Sequence, residues 1–278
     1  MTDPGQPEIG ARVDVRGIGT NYLEAGSGPP LLLVHGSGPG VTAYANWRLN
    51  IGDLARHFRV LAPDMAGFGF SDKPTTAGYS MARWVDQLVG FLDALGIERA
   101  SLVGNSFGGG LGIRVAVEHP ERLDRLVLMG SMGVSFPITE GLDQVWGYQP
   151  GFENMRKILD YFAYSRDLVS GELAEVRYRA ALAPGVQEAF SAMFPAPRQR
   201  WVEAMSTPED QIRAVEHETL IVHGRDDQVI PLSNAYRLLG LIERSELHVF
   251  GRCGHWSQIE WAAEFNALLI RFLTRKAA

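Results

Sequence analysis

One cysteine, Cys253, stands in the chain of 278 residues, so no intrachain disulfide can form. That suits a reducing compartment. No basic stripe offsets the formal net charge of −6, which argues against nucleic acid as a partner. No apolar run approaches the roughly 20 residues needed to cross a bilayer, so no membrane partner is expected. The first residues, MTDPGQPEIGARV, have neither a basic start nor an apolar core, so a secretory leader is not expected. There is no Walker A sequence, no HExxH and no paired cysteine cluster, and no metal or cofactor is expected. What remains is ordinary globular composition, 46% hydrophobic and 21% charged. The expectation is a cytoplasmic protein with a core large enough to need no staples.

Short apolar runs punctuate the chain. Arg12–Arg16 and Asn21–Glu24 read as a hairpin around Gly17–Gly19. Leu31–His35, Arg59–Ala62, Ser101–Val103, Leu126–Met129, Thr219–His223 and Leu247–Phe250 read as buried strands. Segments with apolar residues at helical spacing lie between them: Tyr79–Leu95, Phe107–Glu118, Asn234–Leu241 and Trp261–Leu273. Buried strands alternating with helices predict a mostly parallel sheet covered on both faces. From about Ser135 to Ala204 no strand is legible. That stretch reads as successive helices rich in aromatics, including Phe136, Trp146, Tyr161, Phe162, Phe190 and Phe194. It interrupts the alternation between two strands, so it is an insertion. The predicted organisation is a core of residues 1–134 and 205–278 with a helical lid at 135–204. A lid would wall a pocket; the plainer alternative is a helical layer without a binding role.

Gly104-Asn105-Ser106-Phe107-Gly108 matches G-x-S-x-G, entered from a strand and left by a helix. In that setting a strained turn exposes the serine at a helix N-terminus, where negative charge is favoured. Ser106 is the candidate nucleophile. Serine needs a base. His57, His119, His217 and His248 sit in charged or surface-like surroundings, and His35 and His223 end strands where they would satisfy loop backbone. His255 follows the last strand, and the order serine, acid, histidine selects it as base. The acid lies in His223-Gly224-Arg225-Asp226-Asp227-Gln228. Spacing alone leaves Asp226 open; the common loop, with its acid four residues before Pro231, favours Asp227. An attacked carbonyl needs N–H donors. Phe107 would supply one. The loop His35-Gly36-Ser37-Gly38-Pro39-Gly40 would supply the other from Ser37, with Gly38 as fallback. That loop is no dinucleotide fingerprint, because its spacing is wrong and Pro39 lacks a backbone donor. Cys253, two residues from His255, has no base of its own and reads as a small buried side chain.

HGSGPG, APDMAGFGFSD (Ala62–Asp72), GNSFGGG (Gly104–Gly110), HGRDDQVIPL (His223–Leu232) and FGRCGHW (Phe250–Trp256) together resemble the meta-cleavage product hydrolases. These are bacterial carbon–carbon bond hydrolases of aromatic degradation. The likeness spans nearly the whole chain, including SAMFPAPRQRW (Ser191–Trp201) in the insertion. It is greatest to the monoalkyl branch, which acts on 2-hydroxymuconic semialdehyde and 2-hydroxy-6-oxohepta-2,4-dienoate. The resemblance implies an α/β-hydrolase fold: a mostly parallel eight-stranded sheet flanked by helices, with a helical lid insertion. It implies a small dienoate substrate, no cofactor, and a homo-oligomer, dimer or tetramer. It implies that Asn105, Arg177 and Trp256, beside Gly38, surround the dienoate end. Spacing alone does not separate Arg177 from Arg179 or from a solvated helix face. Leu142, Trp146, Val229 and Ile230 would face the small acyl end.

A carboxylesterase or lactonase would use the same triad, and a cationic residue near Ser106 discriminates against it. Haloalkane dehalogenases and many epoxide hydrolases place aspartate at the elbow, so Ser106 argues against them. A non-catalytic binding protein on this scaffold would be expected to lack a triad member.

Overall fold

The computed structural model describes residues 6–74, 78–168 and 171–276. The outermost residues of the expected core, 1–5 and 277–278, lie outside the described residues. Eight strands form one sheet: β1 (Ala11–Val15), β2 (Ile18–Ala25), β3 (Pro30–Val34), β4 (Arg59–Pro63), β5 (Ala100–Asn105), β6 (Leu123–Met129), β7 (Thr219–Gly224) and β8 (Ser245–Phe250). Their order is β1-β2-β4-β3-β5-β6-β7-β8. The β1–β2 and β2–β4 pairs are antiparallel, and every pair from β4 to β8 is parallel. Leu31–Val34 of β3 are at most 1% exposed, because helices cover both sheet faces. Each such side chain stabilises the fold by about 1.5–3 kcal/mol. The hairpin turn is tighter than its sequence suggested, since Gly19 already belongs to β2. The last strand also departs from expectation: β8 is half-buried because it forms the sheet edge.

The helices are α1 (Ala43–Trp47), α2 (Ile51–Leu54), α3 (Met81–Ala94), α4 (Phe107–Glu118), α5 (Glu140–Trp146), α6 (Phe152–Phe162), α7 (Gly171–Ala181), α8 (Val186–Met193), α9 (Gln199–Ala204), α10 (Glu209–Arg213), α11 (Leu232–Leu241), α12 (Ser257–Glu260) and α13 (Ala262–Thr274). Helix α3 starts where the Ser80 hydroxyl caps the Arg83 N–H, and it buries Trp84, Val85, Leu88, Phe91 and Leu92. Helices α5 to α9 interrupt the alternation between β6 and β7. Thr139 anchors the start of that segment twice over. Its hydroxyl caps α5 by accepting from the Leu142 N–H and donates to the Val229 carbonyl at 2.7 Å, on the loop after β7. Among the described residues no helix is long and apolar enough to cross a membrane.

The chain leaves β3 for β4 on one side and later returns to β5 on the other. The carboxyl ends of β3 and β5 therefore diverge into a crevice, the place where open α/β sheets bind ligands. The loops carrying His35–Gly40, Ser106, Asp227 and His255 all leave carboxyl ends of strands.

Candidate active site

Ser106 joins β5 to α4 with φ 54° and ψ −110°, one of three described non-glycine residues with positive φ. Such backbone is strained and needs support from its surroundings. A Cβ on Gly104 would lie 2.3 Å from the Gly108 carbonyl oxygen, and one on Gly108 would lie 2.3 Å from the Val34 oxygen. The two motif glycines thus let strand and helix approach, and the Ser106 N–H is anchored to Met129 O at 2.8 Å. Phe107 opens α4; its ring packs in the core, 4.8 Å from that of Trp84.

The Asp227 side chain is fully buried and meets four donors. Its Oδ1 accepts from the Val229 and Ile230 N–H groups at 2.8 and 3.0 Å. Its Oδ2 accepts from His255 Nδ1 at 2.7 Å and lies 3.3 Å from His223 Nε2. Burial would raise its pKa. The facing His255 and the bonds from both imidazoles outweigh that, and hold the carboxyl well below the ordinary carboxylate range. Asp226 points elsewhere, towards Arg225 and the Cys253 N–H. A Cβ on Gly130 would lie 3.0 Å from His255 Nδ1, so the glycine at the end of β6 leaves room for this pair. His223 was expected only to satisfy loop backbone. It does so, at 3.0 Å from Ile230 O, and also reaches the Asp227 carboxylate.

His35 bridges two loops. Its Nδ1–H donates to Gly36 O at 2.6 Å, and its Nε2 accepts the Met65 N–H at 3.0 Å. Burial, with Arg177 nearby and against the Gly36 bond, lowers its pKa to about 4, so it is neutral at pH 7. Because the peptide is trans, a Gly36 carbonyl turned to His35 turns the Ser37 N–H the opposite way. The Ser37 hydroxyl accepts from Trp146 Nε1 at 3.0 Å.

Ser106 and His255 line one narrow cavity together with Ser37, Gly38, Asn105 and Arg177. Trp256, Leu142 and Val229 line it too. Trp146 does not. It stands behind the wall, stacked on Phe194 with ring centroids 4.6 Å apart, because its indole N–H is turned to Ser37. Asp227 and Ile230 are likewise behind the lining, where Asp227 reaches the cavity through His255. The free interior is about 10 Å³, roughly one water molecule. Larger clefts open elsewhere, one of about 480 Å³ outside α5 and α6, but it brings together no serine–histidine–carboxylate set.

Arg177 is 3% exposed and lies 5.1 Å over the Trp256 ring. Among the described residues no carboxylate pairs with it; its Nη1 reaches Pro39 O at 3.4 Å and its Nε is buried without a partner. Burial and then Arg48, partly offset by Glu8, lower its pKa to about 10, so it stays charged at pH 7. Arg179 instead pairs with Glu175 on the outer surface. Sequence reasoning missed Asn46, on the short helix α1. It lines the cavity, and its buried Nδ2 has no partner among the described residues. Asn105 Nδ2 makes only a long 3.5 Å bond to Met129 O. The cavity therefore brings together a hydroxyl, an imidazole, a buried cation and the side-chain amides of Asn46 and Asn105. Burial holds the Cys253 thiol near pKa 12, a small inert side chain.

A family model described as the alpha/beta hydrolase fold matches residues 29–262, and the chain belongs to that family. More particularly, it is 59% identical to the 2-hydroxymuconate semialdehyde hydrolase of Pseudomonas sp. strain CF600, over 98% of this chain and 96% of that protein. It is also 59% identical to the 2-hydroxy-6-oxo-2,4-heptadienoate hydrolase of Pseudomonas putida strain F1, over 96% of each. A mutant of the meta-cleavage product hydrolase from Pseudomonas fluorescens IP01, solved in complex with acetates, superposes with a TM-score of 0.95 at 56% identity. That match covers 96% of this chain and 98% of the other. The resemblance drawn from the motifs is borne out by these relatives.

Proposed function

We propose that the chain hydrolyses a carbon–carbon bond in 2-hydroxy-6-oxo-hexa-2,4-dienoate-type substrates. 2-Hydroxymuconic semialdehyde and its small 6-alkyl analogues are the substrates meant. The products are 2-hydroxypenta-2,4-dienoate and a small carboxylic acid. One observation carries the reading beyond a generic serine hydrolase: the buried, charged Arg177, without a carboxylate partner among the described residues, in the same cavity as Ser106 and His255. An ester needs no such cation. A dienoate has a carboxylate for it, and Asn46 Nδ2 would add a second donor to that end.

The substrate first takes its keto form by moving the enol proton to C5. His255 then accepts the Ser106 proton as Oγ attacks the C6 carbonyl, and the ionised Asp227 holds the imidazole and balances its charge. The oxyanion would be met by the Phe107 and Ser37 N–H groups. The C5–C6 bond breaks, its electron pair enters the conjugated dienolate, and His255 returns a proton. Water then releases the acid from Ser106. In this reading residues 135–204 are a lid, since Leu142, Val145, Phe162 and Arg177 of that segment wall the cavity. Cytoplasmic residence and a homo-oligomeric state complete the proposal; the unpaired Cys253 supports the first, and sedimentation velocity tests the second.

The test follows loss of the coloured dienolate with hydrogen, methyl and phenyl at C6. Turnover of the hydrogen and methyl substrates is expected. No cleavage of any of the three, alongside rapid turnover of simple esters, would overturn the assignment.

A further inference from the structure

A cavity with room for one water cannot admit a six-carbon substrate while it stays closed. Its walls must give way, lid residues Leu142, Val145, Phe162 and Arg177 are among them, and the contacts of the lid with the core decide what moves with it. One contact lies directly on the loop of His255. The Phe162 carbonyl, at the end of α6, accepts the His255 N–H at 2.7 Å and the Trp256 N–H at 3.3 Å. The Phe162 ring stacks on Trp256 at 4.7 Å and 4°. A Cβ on Gly254 would meet Phe162 O at 2.6 Å and Tyr164 N at 2.9 Å, so the two backbones touch with no side chain between them.

Glu260, at the end of α12, ties both backbones with one carboxylate. Its Oε1 accepts the Gly254 N–H at 2.6 Å. Its Oε2 accepts the Tyr164 and Ser165 N–H groups at 2.9 and 3.0 Å. Bonds from N–H groups to an ionised carboxylate are stronger than neutral ones. The residue is half-buried and is not among the groups lining the cavity.

We infer that Glu260 is a positioning residue that latches lid segment 162–165 onto Gly254–Trp256, so that lid closure and the placement of His255 are one event. When the latch holds, Phe162 closes the cavity and the His255 backbone is fixed opposite Asp227. When it releases, the lid lifts and the histidine loop loosens together. This rests on the proposed role of His255 as the base.

The test is Glu260→Gln in the full chain. The amide keeps one acceptor oxygen and turns an NH₂ towards backbone donors, so one arm of the latch is lost. Amide exchange is followed by NMR at Tyr164 and Ser165, at Gly254 and His255, and at sheet positions Val103 and Leu128. Both loop sets should exchange about tenfold faster or more, in step, with the sheet unchanged. kcat/KM should fall by about tenfold or more, measured on the methyl dienoate or, if wild type does not cleave that, on p-nitrophenyl acetate. A purely structural glutamate would lower Tm and leave the kinetics of the folded variant alone. Unchanged exchange, acceleration of the lid set alone, or coupled acceleration with unchanged kcat/KM each overturn the latch. If the variant does not fold, wild-type exchange decides: one shared opening rate supports the latch, and rates more than about tenfold apart overturn it. Failure of wild type to cleave the dienoate would sink the substrate assignment and leave the latch test standing.

Discussion

Replacing Arg177 with Met separates binding from stability, because the two should move in opposite directions. The guanidinium is 3% exposed, stacked 5.1 Å from Trp256, and without a carboxylate partner among the described residues. Its pKa falls from 12.5 to about 10, so holding the charge at pH 7 costs the folded protein roughly 3 kcal/mol. Met keeps the stem packed on Trp256 and drops both the charge and that cost. Stability should therefore hold or rise, by a few degrees in Tm at most for a chain of this size. Activity should fall, since a charged hydrogen bond to the substrate carboxylate contributes about 1.5–3 kcal/mol, or roughly 10- to 150-fold in kcat/KM. The assay is dienolate decay with the methyl substrate, run beside hydrolysis of p-nitrophenyl acetate, which has no carboxylate. The ester rate should stay within about twofold of wild type. Equal losses on both substrates would mean that the Ser106–His255 geometry was damaged. Unchanged kcat/KM on the dienoate would refute the anchor, and a clear fall in Tm would refute the desolvation argument.

Asp227→Asn leaves the shape but removes the charge facing His255 Nδ1; kcat should drop on the order of 10³- to 10⁴-fold in single-turnover assays, as expected when the imidazole tautomer is wrong. Asp64 and His35 should oppose one another in acid. Burial raises Asp64 to about 6, so its contribution to stability is full below about pH 4 and is lost as pH rises through 6. Burial lowers His35 to about 4, so its contribution is present above 6.5 and is lost as pH falls towards 4. Urea midpoints of Asp64→Asn should therefore fall more steeply than wild type between pH 6 and 4, and parallel curves would count against the pair. Trp146→Phe keeps the stack on Phe194 but loses the 3.0 Å bond to Ser37, so kcat/KM should fall roughly 2- to 10-fold; steady-state kinetics at fixed pH decide it.

Much of the fold and the centre of the site could be read from sequence, and the reason is local. The elbow needs only five adjacent residues, because strain at Ser106 and close approach at Gly104 and Gly108 are decided within one turn. Helix α4 began and ended as predicted, since its apolar residues and the elbow fix both its face and its start. The choice of Asp227 over Asp226 followed a loop pattern, and the physical reason is that Val229 and Ile230 fold back to donate to its Oδ1. What was missed depends on residues brought together from afar. Asn46 sits on a five-residue helix too short to show a period, and only the tertiary fold brings it to the same cavity wall as Trp256 and Arg177. Trp146 was given the right neighbourhood and the wrong position, because hydrophobic pattern cannot show that its indole N–H turns to Ser37. Sequence could not separate Arg177 from Arg179 because both lie on α7; what differs is the partner. Arg179 finds Glu175 one turn away on the same helix, while Arg177 faces a cavity in which no described carboxylate answers it. A charge kept buried at a cost and left unpaired is explained by a ligand more readily than by the fold, since folding alone would favour an apolar residue there. The same reasoning extends to Asn46 Nδ2 and Arg177 Nε, buried donors with no acceptor among the described residues on two side chains that line one cavity. In the proposed function a substrate carboxylate is the acceptor such donors await, and a substrate lacking one should leave them unsatisfied and bind correspondingly worse.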